Sequence, residues 1–183
     1  VEITRQMVLA FTIVFGPLVL VSYAYGLSHF DRPDDLWGGI PTSWQTYIAP
    51  FMFVAAAGFL IYWWIALFQF DESALTSLHW PWADSDGMGA GRLLLAYALI
   101  LIPSALWLES TIYHLEHDYA WTPVLVVGFL LLTSVGNMML GLLAYGAHQD
   151  GLDHSGLMLA GAGMLAIQCI FNDLVIWVYK FPW

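Results

Sequence analysis

Basic residues are nearly missing from this chain. Its 183 residues hold four lysines and arginines against fourteen aspartates and glutamates, a formal net charge of −10. So acidic a balance gives nucleic acid and anionic lipid headgroups no electrostatic footing, and no nucleic-acid partner is expected. Charge of either sign is scarce. Soluble domains carry about 25 % charged residues, whereas this chain carries 10 %, which excludes an ordinary water-soluble domain. Cysteine is reduced to Cys169, so an internal disulfide and a thiolate metal cluster within one chain are both ruled out. The only lysine, Lys180, lies at the far end of the last apolar stretch, poorly placed for a retinal-type Schiff base. All six histidines fall in polar connections or at the ends of apolar runs, which disfavours a haem held between helices.

What the chain does have is hydrophobic residues, 60 % of the total, and they are gathered into blocks. Uncharged runs cover Met7–Leu27, Tyr47–Phe70 and Ala120–Ala147; two more, Leu93–Tyr113 and Ser155–Tyr179, are each interrupted by one acid, Glu109 and Asp173. A helix needs about 20 apolar residues to cross the hydrocarbon core. The expectation is an all-α integral membrane protein: one polytopic domain over 1–183, a bundle of five transmembrane helices at about 7–27, 47–70, 93–113, 120–147 and 155–179. Four spans are the fallback, with the third segment re-entrant. Barrel strands would show alternating polarity over about ten residues, and these runs do not. The first run is too long for a signal-peptide core and no A-x-A-type cleavage site follows it. Arg5 and Arg92 would share one side, Arg32 and Lys180 the other, so the positive-inside rule leaves orientation open, as it does the identity of the membrane.

The first two connections are rich in proline, glycine and tryptophan, among them Trp37, Trp44, Trp80 and Trp82. Tryptophan there suits the headgroup layer, and anchoring is the expected role, with pigment stacking as the alternative. Small residues recur at helical spacing as Gly156, Ala160 and Gly163 in the fifth run and as Thr133, Asn137, Gly141 and Ala144 in the fourth. Such faces permit close backbone approach, either within the chain or at the seam of a homo-oligomer or larger membrane complex. Pro17, Pro50 and Pro103 fall inside runs, where each removes a backbone donor.

Asp173 is the feature most in need of explanation. A carboxylate at membrane depth costs roughly 2.5–3.5 kcal/mol on insertion scales, and no apolar run contains an internal lysine or arginine to pair with it. Alternation of the spans places Asn172, Gln168, Glu109, Tyr23, Tyr25, His29 and Tyr47 toward the same side as Asp173, and these eight form the expected ligand-binding set. The leading expectation is a multi-pass membrane protein that binds or transports a lipophilic or cationic small molecule, or an ion, near Asp173 and Glu109. A non-catalytic accessory subunit of a larger membrane complex is the second reading, and a membrane enzyme using acid and base carboxylates the third. No motif names a reaction or a cofactor. In ESTIYHLEHD, His114, His117 and Asp118 bring together imidazole and carboxylate, a donor set suited to zinc, copper or iron; a solvated polar loop is the plainer reading.

Overall fold

The computed structural model describes residues 2–183, and no strand occurs among them. Five helices are long and apolar enough to cross a membrane: α1 (Arg5–His29), α2 (Thr42–Gln69), α4 (Gly89–His117), α5 (Thr122–Gln149) and α6 (Ser155–Lys180). A short helix, α3 (Glu72–Ser77), lies in the second connection. The helices overrun most of the apolar runs because the chain stays helical into its polar caps. Thr4 accepts from the Met7 amide at the start of α1. Asp118 ends α4 in the left-handed conformation, φ 49°, with its amide bonded to the His114 carbonyl. The third apolar run, the insecure one in the sequence, is a single continuous helix through Pro103 and Glu109, so the four-span alternative does not describe the fold.

Chain ends and connections sort into two sides, as alternation requires. On one side Arg5 pairs with Glu72 at 3.4 Å and His79 with Asp150 at 2.9 Å, joining the N-terminal segment and the second and fourth connections. On the other, Trp177 Nε1 donates to the Leu36 carbonyl at 2.8 Å and the Gly39 amide to the Lys180 carbonyl at 3.0 Å. These last bonds pin the first connection, which includes a 3₁₀ turn at Pro33–Trp37, to the C-terminal end of α6.

Helix neighbours follow chain order from α4 to α6 but not at α1 and α2. α1 packs on α4, α4 on α5, α5 on α6 and α6 on α2, while α1 and α2 barely touch. The result is an incomplete ring with a slot between α1 and α2. One hydrogen bond crosses it, from Trp63 Nε1 to Thr12 Oγ1 at 2.8 Å. The α2–α6 seam brings backbone against backbone. A Cβ added at Gly161 would stand 2.6 Å from the Gly58 carbonyl oxygen, and one at Gly58 2.5 Å from that of Gly161. Without side chains the two backbones meet directly, the arrangement small residues allow.

Polar pins reinforce this order. Asn137 Nδ2 donates to the Ala162 carbonyl at 3.1 Å, Ser134 Oγ to that of Cys169 at 3.1 Å, and Tyr62 Oη to that of Leu140 at 3.0 Å. Thr133, Asn137 and Ala144 are buried, as their shared face suggested. Gly156, Ala160 and Gly163 instead face outward, and nothing lies within 4 Å of a Cβ built on either glycine. The inward face of α6 runs through Met158, Gly161, Ala162 and Leu165.

Two helices depart from α geometry. The last turn of α2, Ile65–Gln69, is π-helical, and so is Ile167–Trp177 in the middle of α6. The hydrophobic core is continuous toward the N-terminal side. Toward the other side it divides into a cluster around Ile48, Val126, Leu130 and Trp177 and a second around Leu36, Leu108 and Ile112.

Candidate functional site

A cavity of ≈ 280 Å³ occupies the division between those two clusters. Tyr23 and Leu27 of α1, Ile48 and Met52 of α2, and Trp107 and Leu108 of α4 form its walls. The π-helical stretch of α6 brings Gln168, Asn172, Asp173 and Trp177, and the first connection closes over the top with Asp34, Leu36, Trp37 and Ile40.

The π-helix explains how the polar groups meet. In an α-helix, positions five apart diverge by ~140° at 3.6 residues per turn. π geometry bonds residues five apart through the backbone and brings them toward one face. Here the Val178 amide reaches the Asp173 carbonyl, and Gln168 and Asp173 lie side by side. Gln168 Nε2 donates to Asp173 Oδ1 at 2.7 Å, and Asn172 Nδ2 donates to Gln168 Oε1 at 3.0 Å. Gln168 and Asn172 are buried, while Asp173 is half-buried and faces no basic side chain, since no lysine, arginine or histidine lines the cavity. One amide thus satisfies one carboxylate oxygen, with a second amide holding the first in place. π segments of this kind occur often at functional sites.

Four of the eight expected ligand-binding residues therefore share one cavity: Tyr23, Gln168, Asn172 and Asp173. The other four do not line it. Tyr25, two residues beyond Tyr23, points away at 62 % exposure, its ring tilted against that of His29 at 4.6 Å. Tyr47 is 74 % exposed, while its neighbour Ile48 takes the inward position. Glu109 lies in the α1–α4 seam, with Oε2 3.7 Å from His29 Nε2. It sits against Gly26, where an added Cβ would come within 2.9 Å of its Oε1.

Sequence reasoning missed the aromatic walls. Trp107 and Trp177 meet edge-to-face at 5.2 Å, and Tyr23 lies 6.3 Å from Trp107. Trp177 gives its N–H to Leu36, but the buried Trp107 Nε1 has no partner. A tryptophan inside an apolar run is itself a signal, because a buried indole N–H usually finds an acceptor. Trp37, expected as a headgroup anchor, is part of the cavity lid.

The histidine-rich stretch is differently disposed. His114 is buried, with Nδ1 2.7 Å from Thr122 Oγ1 and its ring against Phe181 and Trp183. His117 stacks on Tyr113 at 4.3 Å and its Nδ1 meets the Tyr113 carbonyl. Asp118 serves as the C-cap of α4. Among the described residues no group of three or more His, Cys, Asp and Glu side chains is placed to share a metal ion, because His114 and His117 engage separate partners.

A second cavity of ≈ 480 Å³ runs along the α1–α2 slot. Its surface is almost wholly apolar, with Gly16, Pro17 and Leu20 on one wall, Ala55, Ala56 and Phe59 on the other, and Ser104 and Cys169 behind. Set beside known proteins, the chain matches no family model, no curated protein and no solved structure.

Proposed function

We propose that this is a multi-pass membrane protein that holds a lipophilic small molecule with a cationic or hydrogen-bond-donating end in the cavity at Asp173. Five helices long and apolar enough to cross a membrane support the membrane setting. One observation carries the site: a carboxylate with no basic residue beside it lines a cavity enclosed by four helices and a connection. Acids and bases within membrane segments usually serve a ligand, an ion path or an interhelical clamp. Gln168 occupies only one oxygen of Asp173, and a clamp would need no cavity. The Asp34 carboxyl at the rim adds a second negative charge, which favours a cationic visitor over an anionic one.

The test is purification in mild detergent followed by mass spectrometry of small molecules released from the protein. A stoichiometric compound bearing an amine or hydroxyl, lost from Asp173→Asn protein that remains monodisperse, is the expected result. Equal amounts released from wild type and variant would overturn the assignment.

The accessory-subunit reading has one observation of its own, the outward small-residue face at Gly156, Ala160 and Gly163. It expects foreign subunits to co-purify in fixed proportion, and to be lost when Gly163 is replaced by leucine.

A further inference from the structure

We infer that the two cavities form one site, and that its ligand is a single-chain cationic amphiphile with its ammonium head at Asp173 and its hydrocarbon chain in the α1–α2 slot. This inference rests on the ligand-binding reading above and narrows it to a chemical class.

Continuity is the first argument. On each of the helices that line both cavities, the two sets of lining residues sit a turn or less apart: Leu20 and Tyr23 on α1, Ala55 and Met52 on α2, Ser104 and Trp107 on α4. On α6 they are adjacent, Gln168 in one cavity and Cys169 in the other. Size is the second. Ligand sites span about 300–1,000 Å³, so ≈ 280 Å³ suits a headgroup and the ≈ 480 Å³ slot suits what is attached to it. From Thr12 to Leu20 the slot follows α1 for about 12 Å at 1.5 Å per residue, a length that calls for an extended chain and not a compact ring system.

Polarity changes sharply along the site. The slot offers almost nothing but hydrocarbon, and Thr12 Oγ1 is already engaged by Trp63 and by the Val8 and Leu9 carbonyls. The head cavity presents Asp173, with Tyr23, Trp37, Trp107 and Trp177 around it. A carboxylate among aromatic faces is the chemistry that recognises ammonium groups, since the ring faces attract a cation and the desolvated setting strengthens that attraction. None of the four basic residues lines the cavity. Arg5, Arg32 and Arg92 pair with Glu72, Asp35 and Asp86, and Lys180 lies over the rings of Trp44 and Tyr179. The positive charge that complements Asp173 therefore arrives with the ligand.

The probe is radiolabelled dodecyltrimethylammonium, counted on full-length protein immobilised in dodecyl maltoside micelles, where a neutral dodecyl chain is already in excess. Expected is saturable binding of about one per chain. Unlabelled tetramethylammonium and dodecyl sulfate should each compete at least tenfold less well than the unlabelled probe. Asp173→Asn removes the charge, and Ala56→Trp fills the slot from an exposed position while leaving the head cavity intact; each should weaken binding at least tenfold. Gly163→Ala, on the outward face, should bind as wild type does. Gel filtration and circular dichroism establish that the variants are folded. If tetramethylammonium competes as well as the probe and Ala56→Trp binds normally, the chain has no place in the slot; the amphiphile inference falls and the cavity reading stands. If Asp173→Asn binds the probe undiminished, the head assignment is wrong. Absence of saturable binding overturns the inference outright, while the co-purification experiment judges the broader reading independently.

Discussion

Replacing Gly161 by alanine adds one methyl group at the place where α2 and α6 touch backbone to backbone. The new Cβ would lie 2.6 Å from the Gly58 oxygen, 3.3 Å from the Tyr62 nitrogen and 3.5 Å from the Gly58 carbonyl carbon. All three are main-chain atoms, so no rotamer change relieves the contact and α2 must move as a body. Overpacking of this kind costs about 1–3 kcal/mol. Against it stands alanine's better helix propensity, worth about 1 kcal/mol, which leaves a net loss of about 0–2 kcal/mol. Gly58→Ala meets the Gly161 oxygen at 2.5 Å and Met164 Cβ at 2.7 Å, and should cost about the same. The informative measurement is the double variant. Once one methyl has forced the helices apart the second finds room, so the pair should cost no more than either alone, a coupling of about 1–3 kcal/mol (the overpacking met once and not twice) where independent sites would add. Gly156→Ala and Gly163→Ala, with open space around them, report the propensity gain alone and should be neutral or slightly stabilising. Unfolding in dodecyl maltoside, followed by steric trapping or thermal melts, reads all five proteins. Equal stability of Gly161→Ala and Gly163→Ala, or strict additivity of the double variant, would refute a direct backbone seam.

Two further predictions concern the ends of the bundle. The Trp80 carbonyl, helped by the Asp150 carboxylate and opposed by burial, raises His79 above its ordinary value of 6.5. Stability from protonated His79 is then fully present below about pH 6.5 and fades as pH rises through the elevated folded value; melts of His79→Gln across neutral pH should lack that decline, and an unchanged slope would exclude the pair as its source. Trp177→Phe removes the N–H that holds the Leu36 carbonyl, at a cost of about 0.5–1.5 kcal/mol. Amide exchange through Pro33–Ile40 should quicken in that variant, and unchanged exchange would mean that the lid is held by other contacts.

How far the sequence could be read depended on whether depth or rotation was at stake. Depth is a matter of counting. The apolar runs located five helices, and residue offsets from their ends put Tyr23, Gln168, Asn172 and Asp173 at a common level, where the cavity lies. Rotation is not countable in this chain, because helices apolar all round have no polar stripe to mark the outside. Tyr25 and Tyr47 sit at suitable levels yet face outward, and Glu109 belongs to another seam. The same blindness singled out Gly156 and Gly163 and passed over Gly161, which forms the actual contact. The π-helical stretch was invisible for a different reason. Nothing in IQCIFNDLVIW breaks an α-helix, and its register is tied to tertiary partners such as Ser134, which claims the Cys169 carbonyl from the neighbouring helix.

The circular order α1–α4–α5–α6–α2 also sets a timetable. A chain made from its N-terminus delivers α2 long before α6, yet α6 carries Gly161, the residue α2 rests against. Throughout the synthesis of α4 and α5, the second helix waits without its main neighbour, and helices in a membrane can persist as separate units before they associate. α1 can settle on α4 as soon as α4 emerges. The ring is therefore completed by its last-made member, and the same closure delivers Asp173 to a cavity whose other walls are already synthesised. A cell that cuts synthesis short before α6 is left with an unlatched second helix, the kind of exposed surface that quality-control proteases and chaperones recognise. Failed assembly would thus be discovered at α2, the helix left waiting for the one that carries Asp173.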